Sequence, residues 1–335
     1  MAGFTGPRFP TATGAASCPQ LPHPYTSSGW GGAPLENLAR EIQTRPREQI
    51  PSRDLGLSLY GAGLVILRGG DRSGAEVLVR ELEQLGERTR DPSLAVMAQM
   101  FAVDLAFLDG RIEESISSAE SVTVQARDRG IVAMGGDVSR MLFYLGRGNA
   151  KLLEQWSGPS RPDQANTATI LAFLGRHEEA QALRARFGDV ESEADESGAS
   201  ILMQLFEAAI LGADADTARG LSHRFAPMAS HLAYSMSFPV TVSIARLLGQ
   251  AAALLGRLDE ARAYYQQAIG VCARVRFRPE MALTRFHFAE LLLEHYPEEH
   301  AEAQAHLDFA IEEFRAMNMQ PYLERALRHK GLLHA

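Results

Sequence analysis

SIARLLGQAAALLGRLDEARAYYQQAI, from Ser243 to Ile269, decides the fold of this chain. Apolar residues recur in its first part at spacings of three and four, which predicts an amphipathic helix from about Val242 to Leu255. Gly256 comes next as a stop, because glycine enters the left-handed conformation without a Cβ penalty. The acidic pair Asp259 and Glu260 favours the positive end of a second helix. The stretch is therefore predicted to form two antiparallel helices joined by a short turn.

Gly249 lies inside the first of these helices, where a glycine costs about 1 kcal/mol relative to alanine. The second helix carries the small residues Ala261 and Ala268, with Tyr265 between them in sequence. These residue types predict a close approach of the two helices, with the ring of Tyr265 filling the space beside Gly249.

The turn of this unit recurs along the chain with the same order of residue types. A leucine precedes or lies close to a glycine, a basic residue comes after it, and an acidic pair and a small residue come next in most copies. The copies are FLDGRIEES (107–115), YLGRGNAK (144–151), FLGRHEEAQ (173–181) and LLGRLDEAR (254–262). Such self-similarity at intervals of a few tens of residues is typical of a helical repeat array.

Residues 55–335 are accordingly predicted to form one repeat domain of about seven helix pairs and a C-terminal capping helix. Each pair leaves an apolar face that only a neighbouring pair can cover, so the pairs must stack. No stretch alternates polar and apolar residues for long enough to form a sheet strand, so the fold class is predicted to be all-α. The predicted pairs are 55–67 with 74–90, 94–108 with 112–129, 131–145 with 149–156, 164–174 with 178–187, 199–211 with 216–228, 242–255 with 258–269, and 280–295 with 300–317, before a cap at 322–333.

Residues 1–54 differ in composition from the rest of the chain. They are rich in Gly, Pro, Ser, Thr and Ala and show no periodicity, which predicts a disordered leader. The segment from Leu35 to Ile42 could form a short helix, but Pro46 and Pro51 would prevent it from continuing. A leader that results from a mis-assigned start at Met1 is one alternative. A binding motif is another, built from the aromatic residues Phe4, Phe9, Tyr25 and Trp30.

The overall composition narrows the classes of function. The chain is 46% hydrophobic and 22% charged, with a formal net charge of −8. Nucleic-acid binding needs clustered positive charge, so no nucleic-acid partner is expected. No run of 18 apolar residues occurs, so no membrane span is predicted. The two cysteines, Cys18 and Cys272, do not suggest a disulfide framework, and we expect a cytoplasmic protein.

Six residues of the stretch from Ser243 to Ile269 resemble the tetratricopeptide repeat in type and spacing. They are Leu248, Gly249, Gly256, Ala261, Tyr265 and Ala268. Ala245 departs from that pattern, since the family has a large aromatic residue there. The tail from Arg278 to Leu333 resembles the end of the repeat region in large bacterial signalling proteins, where the array follows a nucleotide-binding ATPase module. The resemblance implies a right-handed superhelix whose first helices line a concave surface.

By the same resemblance, certain residues on the first helices are expected to face the concave surface and to bind a peptide or protein partner. They are Met97, Met100, Asp104, Phe107, Ser243, Arg246, Gln250, Leu283, Phe286 and Glu290. The alternative for each of them, above all for the leucine and phenylalanine positions, is packing against a neighbouring helix.

The chain offers little that indicates catalysis. There is no G-x-x-x-x-G-K-[ST] sequence and thus no phosphate-cradling loop, and no cofactor is expected. A metal-assisted hydrolase using His295 and His300 is the weakest hypothesis, since no histidine pair has the spacing of a zinc protease helix. The favoured hypothesis is a non-catalytic interaction scaffold, with self-association through an exposed array end left open. The alternative is the sensor or regulatory arm of a bacterial signalling ATPase or transcriptional regulator, whose nucleotide-binding and effector modules are absent from this chain.

Overall fold

The computed structural model describes residues 33–47, 50–131, 138–192, 195, 197–233 and 242–333. Within these ranges the chain forms sixteen α-helices and a single pair of very short strands, so the all-α prediction is confirmed. The helices are α1 (Ala33–Thr44), α2 (Ser52–Arg68), α3 (Arg72–Thr89), α4 (Pro92–Leu108), α5 (Ile112–Asp128), α6 (Ser139–Tyr144), α7 (Lys151–Trp156), α8 (Arg161–Phe173), α9 (His177–Arg184), α10 (Ala199–Leu211), α11 (Ala215–Phe225), α12 (Ile244–Leu254), α13 (Leu258–Val275), α14 (Arg278–His295), α15 (His300–Ala316) and α16 (Gln320–Leu333).

Six of the seven predicted helix pairs are present as packed neighbours. They are α2 with α3, α4 with α5, α8 with α9, α10 with α11, α12 with α13, and α14 with α15. The third predicted pair corresponds to the short helices α6 and α7, and residues 132–137 of its first helix lie outside the described residues. The capping helix is α16, which packs on α15.

The first helix of most pairs ends at a residue in the left-handed backbone conformation, as the glycine stops predict. Gly256 has a φ of 71°, and the amide of the next residue, Arg257, donates to the carbonyl of Ala252 at 2.8 Å. This is the bond that closes a helix C-terminus when the chain turns through the left-handed region. In the fifth pair the stop is displaced by one position, because Ala213 and not Gly212 adopts a positive φ, of 54°.

Two strands interrupt the helical pattern before α12. Strands β1 (Leu232–Ala233) and β2 (Val242–Ser243) pair antiparallel, with Leu232 opposite Ser243. They correct the expectation of no strand, and two residues are too few for an alternating pattern to be visible in the sequence. As a result α12 begins at Ile244, and the Ser243 side chain accepts a hydrogen bond from the amide of Arg246 at 3.4 Å.

Helix α1 corrects the boundary of the predicted leader. It lies within residues 1–54, yet its Ala39 and Ile42 are fully buried and the helix packs on α2. Arg47, just after it, forms an ion pair with Glu81 of α3 at 2.6 Å. The folded region therefore extends at least to residue 33. The sequence signal is weak because only a few apolar residues of α1 enter the core; residues 1–32 and their aromatic residues lie outside the described part.

The two ends of the array contact each other. One core joins α1–α6 to α13–α16, and a second core fills the middle of the array around α8–α12. The ring of Phe107 on α4 lies 5.4 Å from that of Phe277, and the ring of Tyr144 on α6 lies 5.7 Å from that of Tyr322 on α16. The array is thus closed, and the surfaces at its two ends cover one another.

Polar contacts seal the same junction. Arg72 is 4% exposed, donates to the carbonyl of Val275 at 3.2 Å and forms an ion pair with Asp109 at 2.7 Å. Arg278 in turn donates to the carbonyl of Asp109 at 3.1 Å. The turns of the first two helix pairs therefore lie against the ends of α13 and the start of α14. A β-carbon at Gly110 would lie within 3 Å of the Met317 side chain.

Candidate functional site

Closure of the array leaves an interior cavity of about 260 Å³. Its walls come from six helices: α6, α8, α10, α12, α14 and α16. Apolar side chains contribute part of the lining, and Phe173 and Ile210 are among them. The remaining lining is rich in groups that ionise or form hydrogen bonds: Glu207, Arg246, Gln250, His287, Tyr322 and Arg325.

A second, more open cavity of about 530 Å³ adjoins the first. The two cavities share the side chains of Ile210, Gln250 and His287 in their linings. The second cavity adds Glu290 and Tyr265, together with apolar residues at the ends of α12 and α14. Gln250 and His287 therefore form a wall common to both cavities.

Buried ion pairs surround the inner cavity. Arg246 donates from Nε and Nη2 to the two oxygens of Glu280, at 2.7 and 3.0 Å, and both side chains are at most 5% exposed. The amide of Ser243 also donates to Glu280, at 2.7 Å. Arg140 donates to both oxygens of Glu207, and Nη2 of Arg246 lies 4.0 Å from Oε1 of the same glutamate. A charged group buried this deeply is tolerated only when it is paired and hydrogen-bonded, and both pairs meet that condition.

A third ion pair completes the charge balance. Glu290 on α14 accepts from Arg325 on α16 at 2.8 Å, and Nε2 of His329 lies 2.9 Å from the same oxygen. Burial raises the pKa of Glu290, but the hydrogen bond from His287 and the nearby charges, Arg325 among them, lower it, and the net direction is down. Three arginines thus face three glutamates around the cavity, so the formal charges of these pairs cancel.

A chain of hydrogen bonds crosses the shared wall. Nη1 of Arg246 donates to Oε1 of Gln250 at 2.6 Å, and Nε2 of Gln250 lies 3.1 Å from Nε2 of His287. Nδ1 of His287 lies 3.1 Å from Oε2 of Glu290. An arginine has donors only, so the carbonyl oxygen of Gln250 must face Arg246 and its amide nitrogen must face His287. His287 is therefore neutral, accepting at Nε2 and donating from Nδ1.

Burial favours the uncharged forms of the histidine and the two tyrosines beside the inner cavity. It lowers the pKa of His287, and although Glu290 counteracts this, the net direction is down. Burial also raises the pKa of Tyr322 to about 12 and that of Tyr144 well above its usual range. Both phenol groups are therefore protonated at neutral pH, and Tyr144 donates to Glu280 at 3.4 Å.

The structure brings six of the ten predicted groove residues to this site. Arg246, Gln250 and Leu283 line the inner cavity, and Gln250 and Glu290 line the outer one. The other two lie behind the lining. Ser243 caps α12 and is fully buried, and Phe286 is fully buried with the Arg325 guanidinium 5.1 Å from its ring centre.

The four predicted residues on α4 lie elsewhere. Asp104 and Phe107 are each 1% exposed, so neither faces an open concave surface, contrary to the expectation. The physical reason is closure, because α14 packs against α4 and Phe277 covers Phe107. Met97 packs on the large core, and Met100 packs on a small cluster that includes Val96.

Several site residues were not predicted at all, including Arg140, Glu207, Glu280 and Arg325. Glu207 carried a usable signal, since it is the only charged residue in ASILMQLFEAAIL, the sequence of α10. A single charge on an otherwise apolar helix indicates a buried partner of opposite charge. His287 carries no such signal, although it lies close in sequence to His295 and His300, which were considered for a metal-assisted hydrolase.

The described part of the chain has two further properties that bear on function. No three His, Cys, Asp or Glu side chains there are placed to hold a metal ion. None of its helices has the length and apolar character needed to cross a bilayer.

Neither the models of known protein families nor the curated proteins give a match to this chain.

Proposed function

We propose that this chain is a non-catalytic binding protein that holds an uncharged segment of a peptide or protein partner in the adjoining cavities. The observation that carries the proposal is the charge-balanced polar wall formed by Arg246, Gln250, His287 and Glu290 between two cavities. The helical array supplies the scaffold, and the wall supplies the recognition.

The shape and chemistry of the cavities support binding. Ligand sites are concave, largely apolar and furnished with a few fixed polar groups. Here Ile210, Leu254 and Leu291 give the outer cavity apolar surface, while Gln250 and His287 present polar atoms held by other side chains. Fixed polar groups of this kind orient a ligand without losing further conformational entropy on binding.

The charge balance supports an uncharged ligand. Arg140, Arg246 and Arg325 each already face a glutamate. A ligand that brought its own charge into the inner cavity would lose hydration without finding an unpaired opposite charge. A peptide group or a carboxamide side chain is neutral and offers both a donor and an acceptor.

We further propose that the helix pairs are tetratricopeptide-like and stack in a right-handed superhelix. Its support is the recurring left-handed turn, as at Gly110 and Gly256, together with the tight contact between Gly249 and Tyr265 inside one pair. A superhelix of this kind places the first helices of successive pairs on one inner surface.

A peptide-display selection against the full chain tests the function. Peptides enriched on the wild-type protein are synthesised, and their affinity is measured by fluorescence anisotropy for two tryptophan variants. Ala253→Trp fills the outer cavity, whereas Val77→Trp places the same indole ring at a side chain that is 53% exposed on α3.

We expect peptides with uncharged sequences to be enriched. Ala253→Trp should weaken their affinity more than about tenfold, which corresponds to about 1.4 kcal/mol of binding free energy. Val77→Trp should leave the affinity unchanged. Failure to enrich any peptide, or equal binding by both variants, would overturn the proposal.

A further inference from the structure

His287 lies where the two cavities adjoin and where α12, α14 and α16 come together. Its side chain is 10% exposed, lines both cavities and connects Gln250 of α12 to Glu290 of α14. Glu290 carries the connection on to α16 through Arg325 and His329. The protonation state of one ring therefore bears on the shared wall and on the contact with the C-terminal helix.

The direction of every hydrogen bond in this chain of contacts is set from the Arg246 end. Arg246 is held by Glu280 and can only donate, so Gln250 must present its oxygen to Arg246. The amide nitrogen of Gln250 then faces His287 and needs an acceptor there. Only a neutral ring with its proton on Nδ1 supplies one. Turning the Gln250 amide over would place its NH₂ group against Arg246.

We propose that protonation of His287 is a switch that disables the binding site, an inference that rests on the proposed function for its ligand. A proton on Nε2 would point at the Gln250 amide, so two donors would face each other and the contact would break. Gln250 cannot turn to relieve this, because its oxygen is held by Arg246. The wall shared by the two cavities would then rearrange in acid.

The groups that face His287 from the surrounding helices set the direction of the pH response. Glu290 on α14 favours a positive ring, whereas Arg246 on α12 and Arg325 on α16 oppose it. Other ionisable groups also line the two cavities: Glu207 on α10, the neutral Tyr265 on α13, and Glu294 and His295 on α14 itself. From α16, His329 contacts Glu290. Because burial adds to the effect of the arginines, the pKa of His287 is lowered and the ring is neutral near pH 7.

A ligand-free measurement tests the switch by itself. In the ¹⁵N-histidine NMR spectrum of the full chain, assigned with His287→Asn, we expect the neutral ring of His287 with its proton on Nδ1, the less common tautomer. The matched variant is Gln250→Glu, which is nearly isosteric but offers His287 an acceptor. We expect it to raise the titration midpoint of His287 and to place protons on both ring nitrogens near neutral pH. A proton on Nε2 in the neutral wild-type ring, or a midpoint that does not move in Gln250→Glu, would overturn the proposal.

A second measurement joins the switch to binding. With a peptide selected on the wild-type chain, affinity is expected to weaken by up to about tenfold for each pH unit below the folded-state pKa of His287. His287→Gln cannot take up the proton and should remove this dependence, whereas His300→Gln, at an exposed position on α15, should retain it. The same dependence in His287→Gln would overturn the switch. If no peptide is selected, the proposed function fails and the NMR result still decides on the switch.

Discussion

Gly249 on α12 and Tyr265 on α13 are in such close contact that a β-carbon at position 249 would lie 2.7 Å from Cε1 of the tyrosine ring. The sequence predicted this contact from a glycine inside one helix and small residues on the next. We expect Gly249→Leu to destabilise the protein by about 1–3 kcal/mol, the usual cost of overpacking a core. Urea unfolding followed by circular dichroism measures the change.

Gly270→Ala is the control for this prediction. Gly270 lies within α13, and a β-carbon there would meet only Arg274, at 3.9 Å. Replacing an unhindered helical glycine by alanine stabilises a helix by about 1 kcal/mol. Opposite signs for Gly249→Leu and Gly270→Ala are therefore expected, and a neutral Gly249→Leu would mean that the ring of Tyr265 moves aside freely.

The helix pairs were predicted because their sequence signals are local, whereas contacts between residues far apart in the chain were not predicted. The glycine stops and the periodicity of α12 and α13 depend on neighbours within one turn or one helix pair, which the sequence displays directly. The ion pair of Arg246 with Glu280 and the bond from Arg72 to the carbonyl of Val275 join separate helix pairs, and the second joins residues 203 positions apart. Nothing in the repeat pattern indicated that the array closes, so the cavity between its walls was not predicted, although Arg246 and Gln250 were assigned to the inner surface.

Closure itself can be tested with two matched glycines. Gly110 and Gly175 end first helices with φ values of 78° and 74°. Alanine in the left-handed region costs about 1–2 kcal/mol at either site. A β-carbon at Gly110 would also lie 2.6 Å from Sδ of Met317 across the junction, whereas one at Gly175 would have no neighbour within 4 Å.

We therefore expect Gly110→Ala to lower the free energy of unfolding by about 1 kcal/mol more than Gly175→Ala does, because Met317 is packed in the core. The extra cost should vanish when Gly110→Ala is made in a Met317→Ala background. Equal costs at the two glycines in the wild-type background would argue against the closed arrangement.

The buried pair of Arg246 and Glu280 predicts strong coupling in a double-mutant cycle. Glu280→Leu leaves a buried guanidinium without its carboxylate and should cost about 3–5 kcal/mol. Adding Arg246→Met should recover part of that cost, because no buried charge then remains unpaired. Recovery should be incomplete, since the Ser243 amide has lost its acceptor, at a cost of about 1–3 kcal/mol.

The control for this cycle is an exposed pair, Asp216 with Arg219, whose side chains are 86% and 62% exposed. Asp216→Asn should change the free energy of unfolding by less than about 1 kcal/mol. A cost of similar size for Glu280→Leu, read from the same urea unfolding curves, would contradict the prediction.

The buried carboxyl group of Asp104 on α4 should make the free energy of unfolding fall as the pH rises. Its side chain is 1% exposed, its Oδ2 has no hydrogen-bond partner among the described residues, and burial raises its pKa well above the usual range.

In the unfolded chain the same carboxyl ionises near pH 3.9, so above that pH folding requires it to regain a proton. Its contribution to the free energy of unfolding should therefore fall with rising pH by about 1.4 kcal/mol per unit until the folded-state pKa is reached. Asp104→Asn removes this term, so the variant should gain stability relative to the wild type as the pH rises from about 4 towards the folded-state pKa of Asp104. The exposed control Asp128→Asn should show no such gain. If the difference in the free energy of unfolding between Asp104→Asn and the wild type stays constant with pH, Asp104 is ionised in the folded protein and the prediction is wrong.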